Sequence, residues 1–287
     1  MKAYLSLVKF AHTVFALPFA LLAFFLGMEA KGGPFEWKVL GLIILCMVFA
    51  RSAAMAFNRY IDRDFDAQNK RTVVREIPSG VIHPGAALRF VILMSLAFVF
   101  TTWWINPLCF YLSPVALLVI LGYSYTKRFT WLCHFVLGIG LGLAPVGAYI
   151  AVTGEFHLLP ILYGIMVMLW VSGFDIVYAL QDEDFDRAHK LHSVPGRFGK
   201  RIAKNIAVVL HIMCAAMLLY ITVFQSQVFT SFQYLHWIGA IGFVGLLFWQ
   251  HRLIKVYDLG RINQAFFETN GIASILFGST VILDILI

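Results

Sequence analysis

Residues 158–178 read LLPILYGIMVMLWVSGFDIVY, and residues 179–190 continue ALQDEDFDRAHK. The first part holds a single charge, Asp175, in 21 residues. As a helix rising about 1.5 Å per residue it covers the roughly 30 Å hydrocarbon layer of a bilayer. The second part is an acidic cluster that lipid would exclude. Together they read as a membrane-spanning helix that delivers carboxylates to one membrane edge.

The same combination occurs 120 residues earlier. An apolar run over 39–58 leads into Asn58-Arg59-Tyr60-Ile61-Asp62-Arg63-Asp64-Phe65-Asp66-Ala67-Gln68-Asn69-Lys70. Both stretches contain Asp-x-Asp-Phe-Asp-x-x-x-Lys, which suggests two halves meeting at one site. Further apolar runs give nine expected helices, at about 5–27, 39–58, 86–105, 107–123, 131–151, 158–180, 203–224, 234–250 and 266–286. Asn106-Pro107 separates the third from the fourth, because proline starts a helix more easily than it continues one. The first run is too long for the core of a secretory signal and has Pro18 in its middle, so it is expected to persist as a span.

Composition agrees. Of 287 residues, 61% are hydrophobic and 13% charged, against soluble norms of about 45–50% and 25%. These values exclude a soluble fold, a disordered chain and a collagen-like repeat. The four cysteines, Cys46, Cys109, Cys133 and Cys214, lie in apolar runs without Cys-x-x-Cys spacing, which argues against disulfides and a zinc site. The net charge of +7 does not call for nucleic acid. Of the 22 Lys and Arg, 20 fall at the N-terminus or in the segments around the loops after the second, fourth, sixth and eighth helices, and only Lys31 and Lys38 lie opposite. By the positive-inside rule the N-terminus is cytoplasmic, and so are both acidic motifs. The expected fold is therefore all-α: a polytopic membrane protein of nine transmembrane helices bundled around a central cavity. Its 287 residues form one intramembrane domain with acidic motifs at 58–66 and 175–186.

The spacing of the motifs carries chemistry. On a helix Asn58, Asp62 and Asp66 share one stripe, and Asp175, Tyr178, Asp182 and Asp186 share another. Carboxylates stacked four residues apart repel, so two such columns imply a cation. Oxygen ligands without His or Cys favour a hard ion such as Mg²⁺, which commonly uses one or two carboxylates together with substrate phosphates. Arg51, Arg71, Arg75, Lys127 and Arg128 are candidates to grip a diphosphate, the arginines by paired hydrogen bonds. Asp175 lies about 10 Å deeper than Asp182. An acid at that depth reads as functional, for instance as the acceptor of a proton or hydrogen bond from a substrate hydroxyl. Pairing with a neighbouring helix is its other reading. Glu268 has no motif around it and receives no role. Many of the 27 Phe, 11 Tyr and 7 Trp are expected to face lipid, and some to line a cavity where their π faces stabilise a cation.

These residues resemble the UbiA-type intramembrane aromatic prenyltransferases, and within them the 4-hydroxybenzoate polyprenyltransferases. The resemblance covers essentially the whole chain. It rests on Asn58-x-x-x-Asp62-x-x-x-Asp66, Arg71-Thr-x-x-Arg75 with Pro78-x-Gly80, Tyr123-Ser-Tyr-Thr-Lys127-Arg128, and Asp175-Ile-x-Tyr178-Ala-x-x-Asp182-x-x-x-Asp186. It implies transfer of a polyprenyl group from its diphosphate to an aromatic acid at a bacterial-type inner membrane, with the site facing the cytoplasm. It also implies that Asn58, Asp62, Asp66, Asp182 and Asp186 hold Mg²⁺ and through it the diphosphate. Lys127 and nearby arginines would neutralise the leaving group, and Asp175, with Tyr123 or Tyr178, would assist ring attack. Arg75-Glu76-Ile77-Pro78 and His12-Thr-Val-Phe-Ala-Leu-Pro18 depart from many relatives and look like a subgroup that prenylates a dihydroxynaphthoate in the futalosine route to menaquinone. Donor length and oligomeric state have no signature here.

Two other classes fit these residues less well. A secondary transporter would place its charged site near the midplane on broken helices, whereas these acids cluster at one edge. The CDP-alcohol phosphotransferases carry Asp-Gly and Ala-Arg elements ahead of their closing aspartates, which this chain lacks.

Overall fold

The computed structural model describes residues 2–8, 15–254 and 260–287. The described residues are helices and short connections. The long helices are α2 (Leu17–Lys31), α3 (Trp37–Ile61), α5 (Pro84–Trp103), α6 (Pro107–Thr126), α7 (Cys133–Thr153), α8 (Leu158–Ala179), α11 (Lys200–Val228), α12 (Leu235–Leu253) and α13 (Asn270–Leu286). Short helices fill the intervals: α1 (Lys2–Val8), α4 (Arg63–Gln68), α9 (Glu183–Ala188) and α10 (Val194–Phe198). A π-helical turn, Gln264–Thr269, leads into α13. Seven helices among the described residues are long and apolar enough to cross a membrane; they begin at Trp37, Pro84, Pro107, Cys133, Leu158, Lys200 and Gln264. The chain is thus an integral membrane protein. The other two expected spans correspond to α2, 15 residues long, and α12, 19 residues long.

Local chemistry explains most boundaries. Asn106 and Pro107 do separate two helices: the Asn106 side chain accepts a hydrogen bond from the Cys109 amide, at 2.8 Å, and donates one to the Ile150 carbonyl of α7. His83, His157 and Ser193 cap α5, α8 and α10 in the same manner. The expected first helix over 5–27 is instead α1 and α2. Pro18 stands in the first turn of α2, where its missing N–H costs nothing, rather than inside a longer helix. Lys9 and His12, like Lys255, lie outside the described residues.

Helix α7 packs on α2, α6 and α8; α3 packs on α5, α8 on α11, and α12 on α13. The α7–α8 crossing is close because glycine meets glycine. A Cβ on Gly142 would stand 2.5 Å from the Gly164 carbonyl oxygen, and one on Gly164 would stand 2.7 Å from that of Gly142, so any side chain there would force the helices apart.

The repeat in the sequence is a repeat in the backbone. Helix α3 stops at Ile61, Asp62 takes φ −90° and ψ 2°, and α4 follows over 63–68. After α8, Asp182 takes φ −102° and ψ 3°, and α9 follows over 183–188. Neither motif is therefore one straight helical column: each bends at its central aspartate.

Candidate active site

Where the two bends face each other they enclose a polar cavity of about 230 Å³. Asn58, Asp62 and Asp66 line it from the first motif; Asp175, Tyr178, Asp182 and Asp186 line it from the second. Tyr123 and Lys127 enter from α6 and its end, and Arg71 and Arg75 from the loop after α4. Eleven of the thirteen residues singled out in the sequence thus meet at one place.

Each carboxylate has a distinct partner. Lys127 Nζ lies 2.7 Å from Asp62 Oδ2, to which the Asn58 amide also donates. Arg75 Nη1 donates to both oxygens of Asp66, at 2.7 and 2.8 Å. Arg71 donates to both oxygens of Asp182, Nη2 at 2.6 Å and Nε at 3.0 Å, and its Nη1 reaches the Tyr178 hydroxyl at 3.3 Å. Burial of Arg71 opposes its charge, but the Asp182 carboxylate and its hydrogen bonds hold the guanidinium pKa above its ordinary value. Asp186 receives only the Ser193 hydroxyl, at 2.6 Å, and among the described residues has no cation in ion-pair range although it is 9% exposed.

Two expected contributors lie elsewhere. Arg51 stands seven residues before Asn58 on α3, about 10 Å away along the axis, and lines a different cavity. Its Nε is buried without a hydrogen-bond partner. Arg128 lies behind Asp62, bonded to the Ile61 carbonyl at 2.8 Å and reaching Asp62 Oδ1 at 3.4 Å.

Other residues of the site escaped sequence reading. His134, on α7, places Nδ1 2.7 Å from Asp175 Oδ2. Its Nε2 accepts the Val194 amide N–H at 3.3 Å. With Nε2 accepting, the proton sits on Nδ1 and is donated to Asp175. Asn69, Ser193 and Phe65 also line the cavity. A lone histidine in an apolar run was the one available signal for the Asp175 partner.

The polar cavity meets an apolar one at Tyr123 and Leu137, which line both. This second cavity, about 240 Å³, runs between α3, α6 and α7. Some aromatic rings do line the cavities, Phe98 and Tyr123 here and Phe65, Tyr178 and Phe185 in the polar one, but the other described residues of the apolar wall are mostly Ala, Gly, Leu, Met and Ile. The large rings pack together elsewhere, Trp170 against Phe19 and Phe243, and Phe174 against Phe15 and Phe266. Filling a core with rings removes much apolar surface from lipid or water, and it leaves them unavailable to line the second cavity.

The donor set fits a hard divalent cation. Four aspartates and Asn58 offer oxygen alone, and among the described residues Asp186 is a buried carboxylate without a cation partner. Among the described residues no three His, Cys, Asp or Glu side chains gather as a ready-made cage.

The description "UbiA prenyltransferase family" applies to a family model that matches residues 16–272. A 4-hydroxybenzoate octaprenyltransferase from Aliivibrio fischeri (strain MJ11) is 32% identical over 250 residues, 87% of this chain and 85% of that one. Among solved structures, a UbiA homologue from Aeropyrum pernix K1 in its apo form superposes with a TM-score of 0.84 at 28% identity, covering 95% of this chain and 98% of that one. A UbiA homologue from Archaeoglobus fulgidus bound to DMAPP and Mg²⁺ shares the fold, with a TM-score of 0.74 at 18% identity and 99% coverage of both chains.

Proposed function

The chain belongs to the UbiA prenyltransferase family, and from that premise we propose that it transfers a polyprenyl group from its diphosphate to 4-hydroxybenzoate, releasing diphosphate, in quinone synthesis. One observation carries this reading: a polar cavity lined by both acidic motifs adjoins an apolar cavity, with Tyr123 and Leu137 lining both. A charged head joined to an isoprenoid tail matches that pair of compartments. The relative named above supports the acceptor by its name.

In this reading Asn58, Asp62, Asp66, Asp182 and Asp186 hold Mg²⁺. When bound, the ion supplies Lewis-acid stabilisation of the charge developing on diphosphate oxygens. Arg71, Arg75 and Lys127 are displaced from their carboxylates toward the diphosphate, and Arg128 supports Asp62 from behind. The allylic C–O bond breaks with its electron pair leaving on diphosphate. Asp175, held through Oδ2 by His134, takes the hydroxyl proton on Oδ1 as the ring carbon ortho to that hydroxyl bonds the allylic carbon, while Tyr123 and Tyr178 wall the reacting ring. The ring proton then passes to the released diphosphate, which restores the aromatic ring, and Asp175 returns its proton to the product oxygen. The apolar second cavity keeps water from the allylic cation. Arg51, a half-buried cation in the wall of the tail cavity with its Nε unpartnered, is assigned to the acceptor carboxylate rather than to diphosphate.

The topology completes the reading: nine spans in a single domain over 1–287, the N-terminus and active site on the cytoplasmic side of a bacterial inner membrane, and lipid as the solvent of the donor tail. The test is product analysis by mass spectrometry. Membranes containing the protein, a polyprenyl diphosphate and Mg²⁺ are offered 4-hydroxybenzoate and a dihydroxynaphthoate together. Prenylated 4-hydroxybenzoate supports the proposal; the naphthoate product moves the enzyme to menaquinone synthesis, and neither product from folded protein overturns the acceptor class.

A further inference from the structure

Counted back along α3 and α8 from the two matching bends, the 120-residue offset sets Ala50 opposite Trp170 and Ala54 opposite Phe174. In the second half these rings are buried, Trp170 at 0% and Phe174 at 2% exposure, and they fill the space between α8 and its neighbours. Trp170 packs against Phe19 and Phe243, with ring centroids 5.5 and 5.4 Å away, and its indole N–H donates to Asn270. In the first half the two alanines form part of the wall of the apolar cavity. Two buried rings in one half thus stand at the positions of two cavity-wall alanines in the other.

The open half has direction. On α3 the cavity wall runs from Ile43 to Met55, about 18 Å of helix. On α7 it runs from Leu137, at the polar cavity, to Ala151. Ala54 lies about one turn from Asn58 and Ala50 about two. A helical turn of about 5.4 Å is comparable with one extended isoprene unit, so these positions stand beside successive units of a chain whose head is in the polar cavity.

We propose that Ala50 and Ala54 set the length of isoprenoid chain this enzyme accepts, by leaving empty in the first half the volume that Trp170 and Phe174 occupy in the second. The inference rests on the apolar cavity holding the donor tail. A ring at position 54 cuts the channel near the head and admits only short donors, and a ring at 50 cuts it about one isoprene unit further along.

The experiment compares Ala50→Phe and Ala54→Phe with the unaltered protein across dimethylallyl, geranyl, farnesyl and octaprenyl diphosphates. Within each protein the readout is the ratio of long-donor to short-donor turnover. It is read a second time as the heat stabilisation of purified protein by each diphosphate with Mg²⁺, which needs no acceptor. The expected result is a fall of about ten- to hundredfold in the octaprenyl-to-dimethylallyl turnover ratio, with the cut-off one unit shorter for Ala54→Phe than for Ala50→Phe. Ratios that stay unchanged in both folded variants overturn the proposal, as does a loss that is equal for every donor. Should a phenylalanine variant not fold, Ala50→Leu and Ala54→Leu are held to the same comparison. Failure of every acceptor in the turnover assay would count against the proposed reaction, while the stabilisation series would still decide chain length.

Discussion

The Arg71 guanidinium closes on the Asp182 carboxylate through two hydrogen bonds, 2.6 and 3.0 Å long, and ties the loop after the first acidic motif to the second motif. Lys127, at the end of α6, holds Asp62 of the first motif through one contact, at 2.7 Å. In both pairs a cation suited to a diphosphate is lodged on a carboxylate suited to a metal. Arrival of metal and diphosphate would exchange both partners at once, so that no charge is left unpaired in a partly buried site.

Asp62→Ala and Asp182→Ala are each expected to lower prenyl transfer by at least about 10²–10³-fold, the scale of losing one preorganised electrostatic contact to a transition state. Both proteins should remain folded in membranes, because the helices that carry them are held by apolar packing. Turnover by radiolabelled donor, beside the amount of folded protein, checks this; normal rates in both would remove the two aspartates from the reaction.

His134 should act on Asp175 by position. Asn at 134 can still present an N–H where Nδ1 now stands, whereas Gln presents its amide near Nε2 and loses the contact. We expect His134→Gln to lower kcat about tenfold or more with the donor KM unchanged, the cost of one hydrogen bond to a charged group, and His134→Asn to recover most of it. Equal losses in both variants would mean that the histidine serves packing alone.

Arg51→Met should raise the KM for the aromatic acid by about ten- to hundredfold, the value of a charge-assisted hydrogen bond, while leaving the donor KM in place. Steady-state kinetics with each substrate varied in turn separates the two. A rise in the donor KM alone would return Arg51 to the diphosphate.

Chelation tests the metal apart from turnover. Protein stripped with EDTA should lose the heat stabilisation conferred by a polyprenyl diphosphate and regain it with millimolar Mg²⁺, because the four aspartates and the diphosphate repel each other without a cation between them. Equal stabilisation with and without Mg²⁺ would contradict the assigned ligand set.

Topology can be read with single cysteines in a background whose native cysteines are replaced. A thiol at Gly33, between α2 and α3, should react with an impermeant reagent from outside the cell, and one at Ser79, after α4, only once the membrane is opened. The reverse pattern would invert the proposed orientation.

Much of this protein was legible in its residues alone because the signals are local. A helix in lipid satisfies its own backbone, so a run such as 158–178 declares itself by length and polarity. Asn106-Pro107 marks its boundary by chemistry within a few positions, and the shared Asp-x-Asp-Phe-Asp announces two matched bends. Helical periodicity says which residues share a face, but not toward which neighbour that face turns. That rotation is set by contacts between distant segments, such as Gly142 on Gly164, and it decided the rest. It placed His134 on Asp175, 41 positions away, and Arg71 on Asp182, 111 positions away. It also moved Arg51 into the wall of the apolar cavity and gathered Trp170, Phe174 and Phe243 into a core away from it. The sequence alone determined most of the long apolar helices and the acidic motifs at their ends, since both follow from solvation of short segments. Tertiary packing alone decided which carboxylate meets which cation and which half of the repeat stays open, since those depend on the free energy of fitting whole helices together.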